Sequence, residues 1–562
     1  MTTSTTSADQ QVPAGDFPIT WDDPLDAEFP WFQDVMHNPL PITPLTATLF
    51  QPAFAEGAGR AIGRLSMPVE GLNVTIQNGY VYLGPRPVLG SPDEMEARFA
   101  EMQRLTIELT STVLKDWRET FEPMVLAKCD RVFAFDYDNA STRETAQFVR
   151  TLRDELVDAW DIHMRVNIPP MNAVFGFEEM LGGALGQEAV QQSRLLLQGF
   201  DNKSVQLGRT LWSLSRWIRG IDGLTEAIAA ARVRDGAVDI GDHGQSGAFQ
   251  ERWQEFLDTY GWRSDRFMEF GHKSWREDPS TPLTQLKGYL RIDDAQDPFA
   301  GHGRFVSEHE AIAAKIEGQL PPELRPVFRM MLPLAQQYIP IAEDHNFTID
   351  QKFTMVVRSA ILRLGHKLAA EGALRDPESI FYLTFDEICD IADGTTPDGL
   401  DERVRQRQRE LGRQASMKAP TMIGTPPPAD VPPDPVVTKF FGVGLVPSSD
   451  ASVITGHPCS TGVVTGEAKI VLTLDEAGKV NPGDVLVCRM TMPAWTPLFG
   501  VVAAVVADSG GPLSHCAIVA REYMIPCVAG TVNGTAVLRD GMRVRVDGGT
   551  GIVTVLDERR RG

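Results

Sequence analysis

Through FTMVVRSAILRLGHKLAAEG the apolar residues Phe353, Val357, Ile361, Leu364 and Leu368 recur every three or four positions. That spacing gathers them on one stripe of a helix. Phe99, Met102, Leu105, Leu109, Val113 and Trp117 repeat the pattern ahead of RETF. Both stripes are expected to be packing faces, and most of the chain up to about residue 412 reads as helix. One early segment differs: NVTIQNGYVYLGP alternates apolar and polar positions around Asn78-Gly79, a pair that favours a two-residue hairpin turn.

The pattern changes twice more. Between Pro420 and Pro447 there are eight prolines, a composition that gives extended, semi-rigid chain and no packed core. Beyond it AKIVLT, DVLVCR, VAAVVAD, IPCVAG, VRVDGG and GIVTVL are short β-branched runs punctuated by Gly and Asp, and only SHCAIVAREYM reads as a helix between two of them. The expectation is a multidomain chain: a disordered tail over 1–18, a mainly helical domain over 19–411, a proline-rich linker over 412–450, and a compact α/β domain over 451–562. The linker can serve as a tether on which the second domain swings.

Composition narrows the functional classes. A chain of 562 residues with 43% hydrophobic and 23% charged residues is globular and too long for one ordinary core. Its net charge of −22 argues against binding a nucleic-acid backbone, which needs clustered Lys and Arg. The opening MTTSTTSADQQ lacks the basic start and apolar stretch of a secretion signal, and the longest apolar run, Phe499 to Ala507, is too short to cross a bilayer. Six cysteines without CxxC spacing favour a reducing compartment, the cytoplasm by default, and give no sign of a metal site.

The sharpest constellation is DSGGPLSHCAIVAREYMIPCVAG, residues 508–530. An apolar strand ends at Asp508, Gly510 and Gly511 permit a tight turn, and a helix begins near Ser514-His515. Free N–H groups and the positive end of the dipole favour an anion there, and the same field disfavours an imidazolium. His515 at that position can attack a phosphoryl group. Physics alone leaves open the plainer reading, an ordinary helix start with a polar His.

GGPLSHCAIVAREYMIP resembles the phosphohistidine signature of the phosphoenolpyruvate-utilising (dikinase) family. GHPCSTGVVTGEAKIV, NPGDVLVCRMTMPAWTPLF and GMRVRVDGGTGIVTVL resemble, in order, that family's other mobile-domain motifs. The resemblance implies that His515 is the phosphorylated residue of a swivelling domain. Gly510, Gly511, Ser514 and Thr491 would line its phosphate loop, with Trp495 bordering it or packed in the core. Arg521, out of phase with His515 on the helix, is expected in an ion pair, and Cys516 as a small buried side chain.

HNPLPITPLTATLF, YGWRSDRFMEFGHKSWREDPS and RDPESIFYLTFDEICDIADG resemble the acceptor-binding domain of the rifampin phosphotransferase type. No P-loop or convincing ATP-grasp segment is present, and the sequence stops directly after the mobile domain. The expected arrangement is therefore that of phenylphosphate synthase and acetovanillone kinase. A separate ATP-grasp subunit would bind ATP and most of the Mg2+ ligands, and a phenolic small molecule would be the acceptor. The acceptor needs an apolar pocket and a base. Base candidates are His37, His272 and His345, the last beside Glu343 and Asp344. Arg263, Lys352 and Arg358 are candidates to neutralise the phosphoryl group. A rifampin-type antibiotic phosphotransferase and a regulatory phosphocarrier are the alternatives.

Overall fold

The computed structural model describes residues 17–427, 448, 450 and 452–557, leaving aside the side chains of 302–307 and 557. Tail residues 1–16 and linker residues 428–447 lie outside the described residues. At its start the region read as linker is folded: a helix runs Leu400–Ala415, and Met422–Gly424 pairs antiparallel with Pro30–Gln33. Phe17, read as tail, is buried beside Tyr80 and Tyr82.

The N-terminal body is organised on one helix of 44 residues, Thr142–Leu185. Ser141 and Glu144 form a capping box that satisfies its first amides, and its apolar residues are buried along most of its length. Helices Gln51–Arg64, Pro92–Asp116, Arg325–His345 and Phe385–Asp393 pack around it. The stripe from Phe353 to Leu368 is fully buried as expected. The stripe from Phe99 is buried only at its end, at Val113 and Trp117, while Phe99 is 44% exposed. The helical spacing was read correctly there, but the first turns project beyond the body. The expected hairpin pairs Val69–Gln77 with Tyr80–Pro87, with Gln77 opposite Tyr80 and positive φ at both Asn78 and Gly79.

The C-terminal domain holds an eight-stranded mixed sheet. Four parallel strands, Val463–Ile470, Val485–Cys488, Ala504–Ala507 and Cys527–Ala529, lie side by side in that order. Arg543–Asp547, Ile552–Asp557 and Val453–Thr455 extend one flank antiparallel, and His457–Ser460 the other. Only Gly456 separates the two outermost strands in sequence, so the segment from Val453 to Ser460 joins both margins of the sheet and curls it closed.

This domain is docked on the helical body. Gln285 donates to Ala494 O at 2.6 Å, Arg194 to Pro458 O at 2.7 Å, and Arg291 to Val480 O at 2.8 Å. Gly208 marks the closest approach: a Cβ there would stand 1.9 Å from Tyr523 Oη. Gly208→Leu is therefore expected to separate the domains, and small-angle scattering should show a larger radius of gyration than for the parent.

Glu522 closes the same interface, accepting from Gly199 N at 3.0 Å. Burial pushes its carboxyl up to about 8, against the backbone donors at Gly199 and Phe200 and the charge of Arg521. A value raised on folding contributes stability that is complete below the ordinary carboxyl value and lost as pH climbs through 8. Stability is thus expected to fall between about pH 5 and pH 8, and Glu522→Gln to flatten that dependence in denaturant titrations.

Candidate active site

The strand Ala504–Ala507 delivers the chain to Asp508, whose carboxylate accepts from Thr531 Oγ1 at 3.1 Å and Thr535 N at 3.0 Å. Those bonds fix the strand end from which the loop departs. Gly510 turns it with φ of +98°, a conformation that disfavours side chains with a Cβ. Gly511 needs no such conformation, and its carbonyl accepts from Ser514 Oγ at 2.8 Å. Ser514 is the N-cap of the helix His515–Glu522, yet its hydroxyl closes the loop instead of capping an amide. Arg521, expected in an ion pair, instead donates from Nη1 to Pro512 O and Cys459 O at 2.8 and 3.0 Å. It braces the loop from beneath. Cys516 is buried, as expected, 3.6 Å from Cys527 Sγ.

His515 projects from the first helical position toward the helical body, with its side chain 13% exposed. Its Nδ1 lies 2.9 Å from Glu343 Oε1, across the domain interface. Glu343 is buried, and its other oxygen accepts from Ser204 Oγ at 2.5 Å. Burial alone would raise the Glu343 carboxyl. The imidazole of His515, the Ser204 hydroxyl and the Arg263 guanidinium outweigh it and hold the group below its ordinary value. An ionised Glu343 accepts a hydrogen bond from Nδ1–H, which leaves Nε2 of His515 with its lone pair directed outward. Thr496 Oγ1 stands 3.4 Å from that nitrogen. Thr491 is buried, with no hydrogen-bond partner for its hydroxyl among the described residues, and Trp495 lies in the core.

Of the three cations proposed for phosphate, the structure brings one to this interface. Arg263 is fully buried, donates to Pro493 O at 3.4 Å, and leaves Nε and Nη2 without hydrogen-bond partners among the described residues. Burial draws it down to about 10, against the opposing charge of Glu343. Arg358 is held elsewhere: Glu277 grips it through two bonds at 2.9 and 3.1 Å, and it lies over Phe381. Its removal strips a part-exposed carboxylate, still held by Ser274, of its guanidinium partner, so Arg358→Ala is expected to cost about 1.5–3 kcal/mol of folding stability, read from denaturant titration. Lys352 is half-buried, and its charge is felt by Cys129 rather than by the interface.

The base candidates separate as well. Glu343 and Asp344 do not orient His345: the first holds His515, and the second accepts from Lys203 N at 2.9 Å. His345 instead bonds through Nδ1 to Ile341 O. Burial, followed by the neighbouring His163, pushes it down to about 4, which makes it a weak base. His272 lies apart, against Ser264 and Lys273 O, lowered by burial. His37 fits the task better. Asp34 accepts from its Nδ1 at 2.8 Å. Burial works against the imidazolium, but Asp34 and then Asp350 overcome it and raise the value. Its side chain is 27% exposed, so Nε2 is reachable.

Sequence reasoning missed a polar thread that runs from Arg263 to His163. Arg263 donates to Gln351 Oε1 at 3.2 Å, Gln351 to Asn346 Oδ1 at 2.7 Å, and Asn346 to Asp350 Oδ2 at 2.7 Å. Asp350 Oδ1 then lies 2.7 Å from His163 Nδ1. Three of these residues sit in a π-helical segment, Asn346–Phe353, directly after the helix that carries Glu343, a geometry common at functional sites. Trp160 packs against His163, and Phe267 against His37, so the thread runs through aromatic surroundings. No sequence motif announces it.

Comparison with known proteins follows the same division. Residues 163–343 match the family described as rifampicin phosphotransferase fourth domain, and residues 480–551 match the PEP-utilising enzyme mobile domain. The chain is 32% identical to chondramide synthase of Chondromyces crocatus over 96% of its own length and 14% of that protein's. It is 26% identical to an uncharacterized phosphotransferase of Bacillus subtilis over 92% of its length and 60% of that chain. To rifampicin phosphotransferase of Streptomyces sviceus it is 28% identical over 72% of its length and 46% of that chain. It thus spans between 14% and 60% of these relatives. The matched spans contain Glu343 and His515, the two residues that meet across the interface. The chain belongs to the PEP-utilising enzyme family and carries its mobile domain.

Proposed function

We propose that this chain is the phosphate-carrying and acceptor-binding part of an ATP-dependent phosphotransferase. The observation that carries this reading is the bond between His515 Nδ1 and buried Glu343, which aims Nε2 at the docking interface. In the first step Nε2 takes the β-phosphoryl group of ATP, bound with Mg2+ on a separate ATP-grasp subunit, while water takes the γ-phosphoryl group, so that AMP and inorganic phosphate leave as co-products. Among the described residues the one group of three metal-capable side chains contains two imidazoles, a poor match to the all-oxygen shell of magnesium.

In the second step the domain docks as seen here, and a hydroxyl oxygen of the acceptor attacks phosphorus while the N–P bond breaks. The hydroxyl proton passes to His37 Nε2, with Asp34 holding the opposite ring nitrogen. Arg263, with Nε and Nη2 unpartnered among the described residues, receives the negative charge of the phosphoryl oxygens. Its burial excludes water that would otherwise hydrolyse the phosphohistidine.

The aromatic residues around His37 and His163 favour an aromatic acceptor, and we assign a phenolic hydroxyl of the acetovanillone type. A rifamycin acceptor is a second reading, favoured by the relatives named rifampicin phosphotransferase. Incubating the chain with its ATP-grasp partner, Mg2+-ATP and either acetovanillone, phenol or rifampicin separates the two. An aryl phosphate from the simple phenols alone supports the first. Phosphorylated rifampicin alone supports the second. Phosphate held on the protein with neither product overturns both.

A further inference from the structure

We propose that His163, His345 and Asp350 form a binding site for one divalent transition-metal ion in the helical domain. One ligand atom from each of the three can be chosen so that all lie within 4.8 Å of one another. Tetrahedral coordination at about 2.0–2.1 Å would set ligand atoms about 3.3 Å apart, so the wider separations must close and the 2.7 Å contact between His163 Nδ1 and Asp350 Oδ1 must open slightly, both by side-chain rotation. Two imidazoles and one carboxylate suit zinc and its neighbours better than calcium or magnesium.

The surroundings are prepared for such an ion. His345 gives its Nδ1–H to Ile341 O, so its Nε2 presents a lone pair. That nitrogen has no hydrogen-bond partner among the described residues, although the residue is only 3% exposed. Asp350 has its second oxygen held by Asn346 Nδ2 at 2.7 Å, leaving Oδ1 directed at His163. Outer partners of this kind fix the tautomer and orientation of metal ligands.

The backbone contributes too. His345 and Asp350 are five residues apart, about 140° out of phase on an α-helix at 100° per residue. The wider turn of the π-helical segment Asn346–Phe353 brings them to one side. His163 meets them from the long helix, its ring centroid 4.5 Å from that of His345. Without an ion, two imidazoles face each other in a buried site. A cation there gives the Nε2 lone pair of His345 a partner.

Three protein ligands leave a coordination position for an exogenous oxygen, and an ion there would lower the pKa of a bound hydroxyl. If the phosphotransferase reading holds, that oxygen belongs to the acceptor. Metal binding itself is independent of that reading.

The full chain, stripped with chelator, should take up one equivalent of Co2+ with visible absorption, and Zn2+ should displace it. His345→Gln and Asp350→Asn should each lower the uptake at least tenfold, while His272→Gln should keep it. X-ray absorption of the cobalt-loaded parent should report imidazole and carboxylate ligation, a readout that stands even where a variant unfolds. Uptake below a tenth of an equivalent by the parent overturns the site, as does thiolate ligation from the buried cysteines Cys459, Cys516 and Cys527. Metal uptake without acceptor phosphorylation would leave the site standing and count against the proposed reaction alone.

Discussion

His515→Ala is expected to abolish both phosphate uptake from ATP and product formation, with residual turnover at least about 1000-fold below the parent. The imidazole is the only group at the loop with an outward lone pair backed by a buried carboxylate, and its replacement leaves phosphate without a covalent carrier. Mass spectrometry under alkaline conditions, which preserve N–P bonds, should locate the added phosphate on the peptide containing His515 in the parent. A variant that still accumulates phosphate, or a label on another side chain, would refute the assignment. The fold is expected to survive, because His515 is part-exposed and its two bonds, to Glu343 of the helical body and to Thr496 of its own domain, are made by ring nitrogens at the interface.

Glu343→Gln should give the next largest effect, about a hundredfold or more in acceptor phosphorylation. The amide keeps the volume but can offer its NH2 to Nδ1, which selects the tautomer with the proton on Nε2 and so removes the nucleophilic lone pair. Because Glu343 acts through His515, the loss should appear in kcat, with KM for the acceptor nearly unchanged. The pH response carries a second signature. Glu343 is held below its ordinary value, so its contribution to docking is present above the ordinary carboxyl range and lost as pH falls through the lowered value. Undocking of the parent in acid should therefore be blunted in Glu343→Gln, and scattering at several pH values measures it.

Much of the C-terminal domain was legible because its chemistry is local in sequence. Strand, glycine turn, Ser514, His515 and helix follow one another within about ten residues, and turn and helix-start rules apply directly to such a run. The acceptor side was not legible in the same way. Glu343 and Asp344 adjoin His345 in sequence, yet the helix sends each side chain to a different partner: His515, the Lys203 amide and Ile341 O. Adjacent residues on a helix do not face one another, so orientation of His345 by its neighbours was the wrong geometric expectation. His163 and Asp350 are separated by 187 positions, and only tertiary packing reveals them as a pair. Arg358 and Arg263 looked alike as cations. What separates them is a carboxylate on one and orphaned N–H groups on the other, and neither is visible without coordinates.

The closed curl of the C-terminal sheet bears on what a travelling domain can survive. An open sheet released from its seat would carry two raw margins of unpaired N–H and C=O groups, each a template for pairing with another chain. Here Val453–Thr455 and His457–Ser460 take up those margins as successive parts of one segment. If the proposed transfer moves the domain from its dock, those two margins would travel already covered by that one segment. Protection of those margins is thus built into the sheet itself rather than left to the surface on which the domain is docked.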